Sequence, residues 1–102
     1  MIAMPSQDQL TQAQGSHFTL WIDAEQTLDV ELLEVLPGVP MSARHECFSA
    51  FFGLPLGSAL PQGSYRLAPL DEEGWLLLMT PGRPEADGRP VLQAVFHMEK
   101  PA

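Results

Sequence analysis

The chain has 102 residues, 45% of them hydrophobic, and thirteen acidic against five basic residues give it a net charge of −8. This length fits one small domain with its own core, and the hydrophobic content excludes a disordered chain. Proteins that bind nucleic acid use clustered Lys and Arg to displace counterions from phosphates. Because the five bases here are scattered, the composition argues against nucleic acid and anionic membranes as partners.

Targeting features are absent from the sequence as it stands. The longest apolar run, residues 75–79, is far shorter than the roughly 20 residues of a transmembrane helix. The first residues lack the basic and apolar regions of a signal peptide. The single cysteine, Cys47, cannot form an intrachain disulfide and suits a reducing compartment. We therefore expect a cytoplasmic protein without a membrane partner.

A polar, Gln-rich arm covers residues 1–16, ahead of a single domain that we place at residues 17–99. Ser6 and Gln9 have the spacing of a capping box, which predicts a short helix from about residue 7 to residue 13. Leu10 is the main apolar residue of this segment, so the helix is expected to be weak or frayed.

Alternating apolar residues then predict strands. The pattern holds over residues 18–22. Residues 28–35 alternate as well, but change phase at Leu33, which is typical of a β-bulge. Leu and Glu also favour helices; the alternation and the stop at Pro37 favour a strand instead.

The rest of the chain continues in the same way. Residues 46–52 are aromatic and compact, as in a strand buried on nearly both faces. Residues 60–81, LPQGSYRLAPLDEEGWLLLMTP, predict a hairpin in which Gly74 takes the left-handed conformation. After an exposed loop, residues 91–98 predict the last strand. The sequence therefore predicts an all-β fold: a small antiparallel, strongly bent β-barrel, or a small sandwich of five to six strands.

Several short motifs show a resemblance to a known family. F-T-L at the first strand, L-P-Q-G-x-Y-x-L at residues 60–67 and A-V-F at residues 94–96 resemble a family of small bacterial β-domains of unknown function, from about Phe18 to Phe96. No catalytic motif is established for that family, so the resemblance implies no site residue. A bent barrel behind a weak N-terminal helix also resembles the Sm-like architecture. Sm-like rings that bind RNA use basic and aromatic loop residues, and this acidic chain has no such cluster.

Reactive side chains are densest around His45 and Cys47, which lie two residues apart and share one face of a strand. They could contribute to a metal site, but the third and fourth ligands would have to be His17, His97 or an acid brought in by folding. The acidic residues 71–73 lie in the predicted hairpin turn. Asp and Gly are favoured in such turns for conformational reasons, so these residues need not form a functional site. We predict no catalytic, cofactor-binding or metal-binding residue, and no cofactor.

Large apolar side chains exceed what the interior of a one-layer barrel can hold. Aromatic residues and Met are enriched at the cores of interfaces. We therefore predict an assembly surface, with a possible homo-oligomer, formed by Trp21, Trp75, Leu77 and Met79. A sheet bent so sharply that one monomer buries both faces is the alternative.

The leading functional hypothesis is a non-enzymatic β-domain that self-associates or docks on a protein partner. The alternative is a small-ligand-binding barrel or an unrecognised enzyme, with its pocket near His45 and Cys47. A nucleic-acid-binding Sm-like module is third, disfavoured by the net charge of −8.

Overall fold

A computed structural model of the chain describes residues 7–38, 45–58, 60–69 and 74–99, and for residues 45, 46 and 97–99 it describes the backbone. One helix precedes six strands. Their bounds are α1 Gln7–Gln12, β1 His17–Trp21, β2 Thr27–Pro37, β3 His45–Gly53, β4 Gly63–Pro69, β5 Trp75–Pro81 and β6 Val91–Glu99.

The strands close into an antiparallel barrel in the order β1-β2-β3-β6-β5-β4. This confirms the predicted all-β barrel and decides against the sandwich. The ladder between β3 and β6 runs from His45 to Gly53 on β3. By contrast, the ladder between β5 and β6 has three Cα pairs, which are Met79 with Ala94, Thr80 with Gln93 and Pro81 with Leu92.

The core consists of the residues that alternate into the barrel. Phe48 and Phe96 stack with ring centroids 4.8 Å apart, and Phe18 meets Phe52 edge to face at 5.8 Å. Strand β3 is buried on one face and half-buried on the other, as Cys47, Ser49 and Phe51 alternate with the buried residues. Every strand contributes at least one fully buried large side chain, and Leu54 follows directly after β3: Phe48, Phe52, Leu20, Leu32, Leu54, Leu67, Met79, Leu92 and Val30.

The phase change predicted at Leu33 is confirmed as an irregularity in β2. The register between β2 and β3 shifts between Leu32 and Glu34, so Leu33 is an extra residue, as in a β-bulge. Next to it, the N–H of Gly15 donates to the Leu32 carbonyl at 2.7 Å, and the Leu32 N–H donates to the Ser16 carbonyl at 3.0 Å. These bonds hold the end of the α1–β1 connection against the middle of β2.

Helix α1 packs on the barrel through Leu10. Leu10 is 2% exposed and belongs to the hydrophobic core, and α1 contacts β2 and β3. A helix this short has little intrinsic stability, so its packing through Leu10 holds it in place. Residues 1–6 of the predicted arm lie outside the described residues.

The β4–β5 hairpin has the predicted glycine conformation. Gly74 has φ of +80°. A Cβ at this position would overlap the carbonyl oxygen of Leu67, so any side chain would collide with the neighbouring strand. The acids of residues 71–73 lie outside the described residues.

Candidate association surface

Strand β5 alternates between the core and the outer surface. Leu77 and Met79 are 6% and 0% exposed, whereas Leu76 and Leu78 are 68% and 60% exposed. The sequence analysis assigned Leu77 and Met79 to an assembly surface, but both lie inside the barrel. The run WLLLM contains no polar residue that would set the phase of the alternation, so pairing with β4 decides which leucines face outward.

Neighbouring strand β6 adds a third exposed apolar residue, Val95, which is 58% exposed. We call Leu76, Leu78 and Val95 the apolar outer face. Each lies on a strand whose inward residues are core residues, so the barrel itself leaves these three side chains in water. Contiguous exposed apolar patches often mark surfaces that bind another protein.

Charges are distributed unevenly around the barrel. Residues 63–69, 75–81 and 91–96, which form β4, β5 and most of β6, contain no Asp or Glu. Strand β2, on the other side of β1, carries Asp29, Glu31 and Glu34. The apolar outer face therefore lies on strand segments that carry no acidic residue.

The two predicted interface tryptophans differ in position. Trp21 is half-buried on β1, and the guanidinium of Arg66 lies 4.4 Å from its ring centroid, a cation–π contact. Because Arg66 pairs with both Trp21 and Leu76, Trp21 borders the apolar outer face. Trp75 is half-buried and packs against the core.

The predicted reactive residues lie on β3, β6 and β1. The strand register places Cys47 opposite His97, and His45 opposite Glu99. Cys47 is half-buried. On β1, Nδ1 of His17 lies 2.7 Å from Oδ2 of Asp29, and both side chains are exposed. Among the side chains that the structure describes, no three His, Cys, Asp or Glu residues come together as metal ligands would.

Three surface clefts lie among the described residues. The first, of about 350 Å³, lies between the β2 bulge and the β5–β6 loop. The second, of about 400 Å³, lies beside Trp21 and Arg66, and the third, of about 140 Å³, lies at a proline-rich end of the barrel. Cys47 lines none of the three. The first cleft is lined by the charged residues Glu34, Arg83 and Glu85 beside apolar ones.

Arg89 is a residue that sequence analysis missed. Its guanidinium donates to the carbonyl of Leu54 at 3.2 Å and to a Glu31 carboxylate oxygen at 2.9 Å. A Cβ on Gly53 would lie 2.7 Å from Arg89 Cζ, so the arginine occupies the space that Gly53 leaves. The sequence shows Arg89 only as part of an exposed, turn-rich loop. Its contacts tie that loop to the barrel and indicate a structural role.

Residues 5–96 match the model of a protein family described as a domain of unknown function, DUF6916. The chain belongs to the DUF6916 family. This confirms the expectation of a domain family without a known function. No curated protein and no solved structure matches the chain.

The matched range of the DUF6916 domain contains α1 and reaches Phe96 in β6. The helix that carries Leu10 and all three residues of the apolar outer face therefore lie inside the family's boundaries. Within the described residues of this domain, no helix has the length and apolar character needed to cross a bilayer.

Proposed function

We propose that this DUF6916 domain is a non-enzymatic association module that binds a second copy of itself through the apolar outer face. The observation that carries the proposal is the exposure of Leu76, Leu78 and Val95, at 68%, 60% and 58%, on the two neighbouring strands β5 and β6. Burying these side chains against another protein removes apolar area from water, which is favourable by roughly 25 cal/mol per Å².

The charge distribution favours a second copy as the occupant. Two chains that each carry −8 repel one another over most approach directions. The repulsion is smallest where acids are absent, and strands β4 and β5 together with residues 91–96 contain none. The apolar outer face lies on these acid-free strand segments, so the strands themselves add less repulsion there than the acid-bearing strand β2 does.

We propose further that nucleic acid is not a partner, even if the barrel proves to share the Sm-like architecture. A short helix ahead of a small closed antiparallel barrel supports that architectural comparison, but a shared fold does not imply a shared function. Of the basic residues, Arg66 stacks on Trp21 and Arg89 pairs with Glu31. Two of the chain's five basic residues are therefore engaged within the protein, whereas binding to a phosphate backbone depends on clustered basic residues.

The experiment is the solution mass of the wild type, Leu76→Glu and Leu56→Glu, measured by light scattering after size exclusion. Leu76 and Leu56 are both 68% exposed, and each substitution adds one negative charge. They differ in place, since Leu56 lies in the loop after β3. We expect twice the chain mass of 11.2 kDa for the wild type and Leu56→Glu, and one chain mass for Leu76→Glu.

Two results contradict the proposal. One is a wild-type mass of a single chain up to the highest concentration measured, which leaves a different protein as the partner for this face. The other is an equal effect of Leu76→Glu and Leu56→Glu, which would show that added charge, and not its place on the outer face, controls association.

A further inference from the structure

We infer that residues 83–89, which we call the strap, form a lid that opens and closes on the barrel while the barrel stays folded, with Arg89 as its latch. The strap lies in the connection between β5 and β6. It contains none of the residues of the apolar outer face, so its motion does not depend on self-association.

Hydrogen bonds within the strap give it a defined shape. The Glu85 N–H donates to the Arg89 carbonyl at 3.0 Å, and the Gly88 N–H donates to the Glu85 carbonyl at 2.8 Å. The Arg89 N–H donates to Oδ1 of Asp87 at 3.0 Å. Residues 83–88 are all exposed, so the shape of the strap depends little on packing against the core.

The side chain of Arg89 fastens the strap to the barrel. Three acceptors converge on its guanidinium: the Gly53 carbonyl at 3.4 Å, the Leu54 carbonyl at 3.2 Å and the Glu31 carboxylate at 2.9 Å. Among the described residues, these are the hydrogen bonds that join the strap to the barrel. Hydrogen bonds that involve a charged group are roughly twice as strong as neutral ones, so one side chain provides much of the free energy that keeps the strap closed.

The residues on either side of the strap are anchored separately. The Gly82 N–H donates to the Val91 carbonyl at 2.8 Å, and the Leu54 N–H donates to the Pro90 carbonyl at 2.9 Å. These bonds hold the ends of β5 and β6 in place when the strap between them moves. Segments with few core contacts open locally at a lower free energy than the core does.

Space for the motion lies beside the strap, in the cleft of about 350 Å³. Arg83, Pro84 and Glu85 of the strap line one part of this cleft, and the barrel contributes apolar residues that include Phe51 and Val91. Opening of the strap widens the cleft and uncovers Val91, which is 7% exposed when the strap is closed. Arg89 therefore controls access to the apolar part of the cleft.

The first test compares two arginines of the same strap. Arg89→Met keeps a long side chain that cannot donate to the three acceptors, and Arg83→Met makes the same change at an exposed side chain. A glutamate-specific protease cuts after Glu85 when the strap opens, whereas a cut after Glu34, inside strand β2, requires the barrel to unfold.

The ratio of cleavage after Glu85 to cleavage after Glu34 measures strap opening against unfolding of the barrel. We expect Arg89→Met to raise this ratio by on the order of tenfold or more, because the strap loses its charged hydrogen bonds. Arg83→Met, which removes the same charge, should change it by less than about twofold.

The second test needs no substitution and also decides the question if Arg89→Met does not fold. NMR measures the hydrogen exchange of the Arg89 Nε–H, which donates to the Leu54 carbonyl, and of the Ala50 N–H in the middle of β3. We expect the Nε–H to be more protected than in free arginine but less protected than the Ala50 amide, because the strap opens more often than the barrel unfolds.

Three results would contradict the role of Arg89 as a latch. An equal rise in cleavage after Glu85 and after Glu34 would mean that Arg89→Met destabilises the whole barrel. An equal effect of Arg83→Met would mean that the lost charge, and not the latch, frees the strap. Protection of the Arg89 Nε–H equal to that of the Ala50 amide would mean that the latch breaks only when the barrel unfolds.

Discussion

Gly74 and Gly53 fix two connections of the barrel for different physical reasons. Gly74 has positive φ and faces the Leu67 carbonyl, so it allows β4 and β5 to be joined closely. Gly53 leaves room for Arg89, which ties the β5–β6 loop to the barrel. The conformation of Gly74 could be predicted because a glycine after a run of acids is a hairpin signal. The need for Gly53 could not, because its neighbour Arg89 is distant in sequence.

At this scale we predict unequal effects of two alanine substitutions. Gly74→Ala and Gly88→Ala both place alanine at positive φ, +80° and +86°. A Cβ at Gly74 also collides with the Leu67 carbonyl, whereas nothing lies within 4 Å of one at Gly88. We expect Gly88→Ala to lower the free energy of unfolding by about 1 kcal/mol, and Gly74→Ala by about 3 kcal/mol or more. Urea unfolding measures the free energy of unfolding of both variants. Equal losses would show that a Cβ at Gly74 does not collide with the Leu67 carbonyl.

Among the elements, β5 shows most clearly where sequence-based prediction ends. Period-2 patterns identified the strands, the phase change in β2 and the fold class, because polar residues mark the outer face of most strands. In β5 the residues Trp75 to Met79 are all apolar, so the sequence could not decide between Leu77 and Leu78 as the outward residue. The decision comes from the register with β4, where Tyr65 pairs with Leu77 and both are buried.

The helix leads to a second prediction at the scale of elements. Since α1 is held by Leu10, which is 2% exposed, Leu10→Ala removes its main contact with the core and leaves a cavity. We expect a loss of about 2–3 kcal/mol in the free energy of unfolding. Leu56→Ala, the same chemical change at a side chain that is 68% exposed, should stay within about 0.5 kcal/mol of the wild type. Similar losses for the two variants would mean that α1 does not contribute to the core.

For the whole molecule, net charge and exposed apolar side chains have opposite effects on self-association. A net charge of −8 keeps copies apart, while the apolar outer face favours their contact. The fold and the acidic surface could be predicted from the sequence, and so could an excess of apolar side chains over the barrel's capacity. The position of that excess could not, because it depends on closure of the barrel by pairs of strands that are distant in the chain, such as β1 with β4 and β3 with β6.

We therefore predict that salt strengthens self-association. Raising the ionic strength from about 0.01 M to about 0.15 M shortens the Debye length from about 30 Å to about 8 Å and screens the repulsion between two acidic chains. The dimer dissociation constant, measured by sedimentation at both salt concentrations, should fall. A dissociation constant that rises with salt would instead indicate that association depends on attraction between opposite charges.

The most direct measurement of the central claim is the wild-type mass in solution, by light scattering after size exclusion at two protein concentrations. The account predicts a species of twice 11.2 kDa whose fraction rises with concentration. A single-chain mass at both concentrations, in about 0.15 M salt where screening is already effective, would contradict self-association through the apolar outer face.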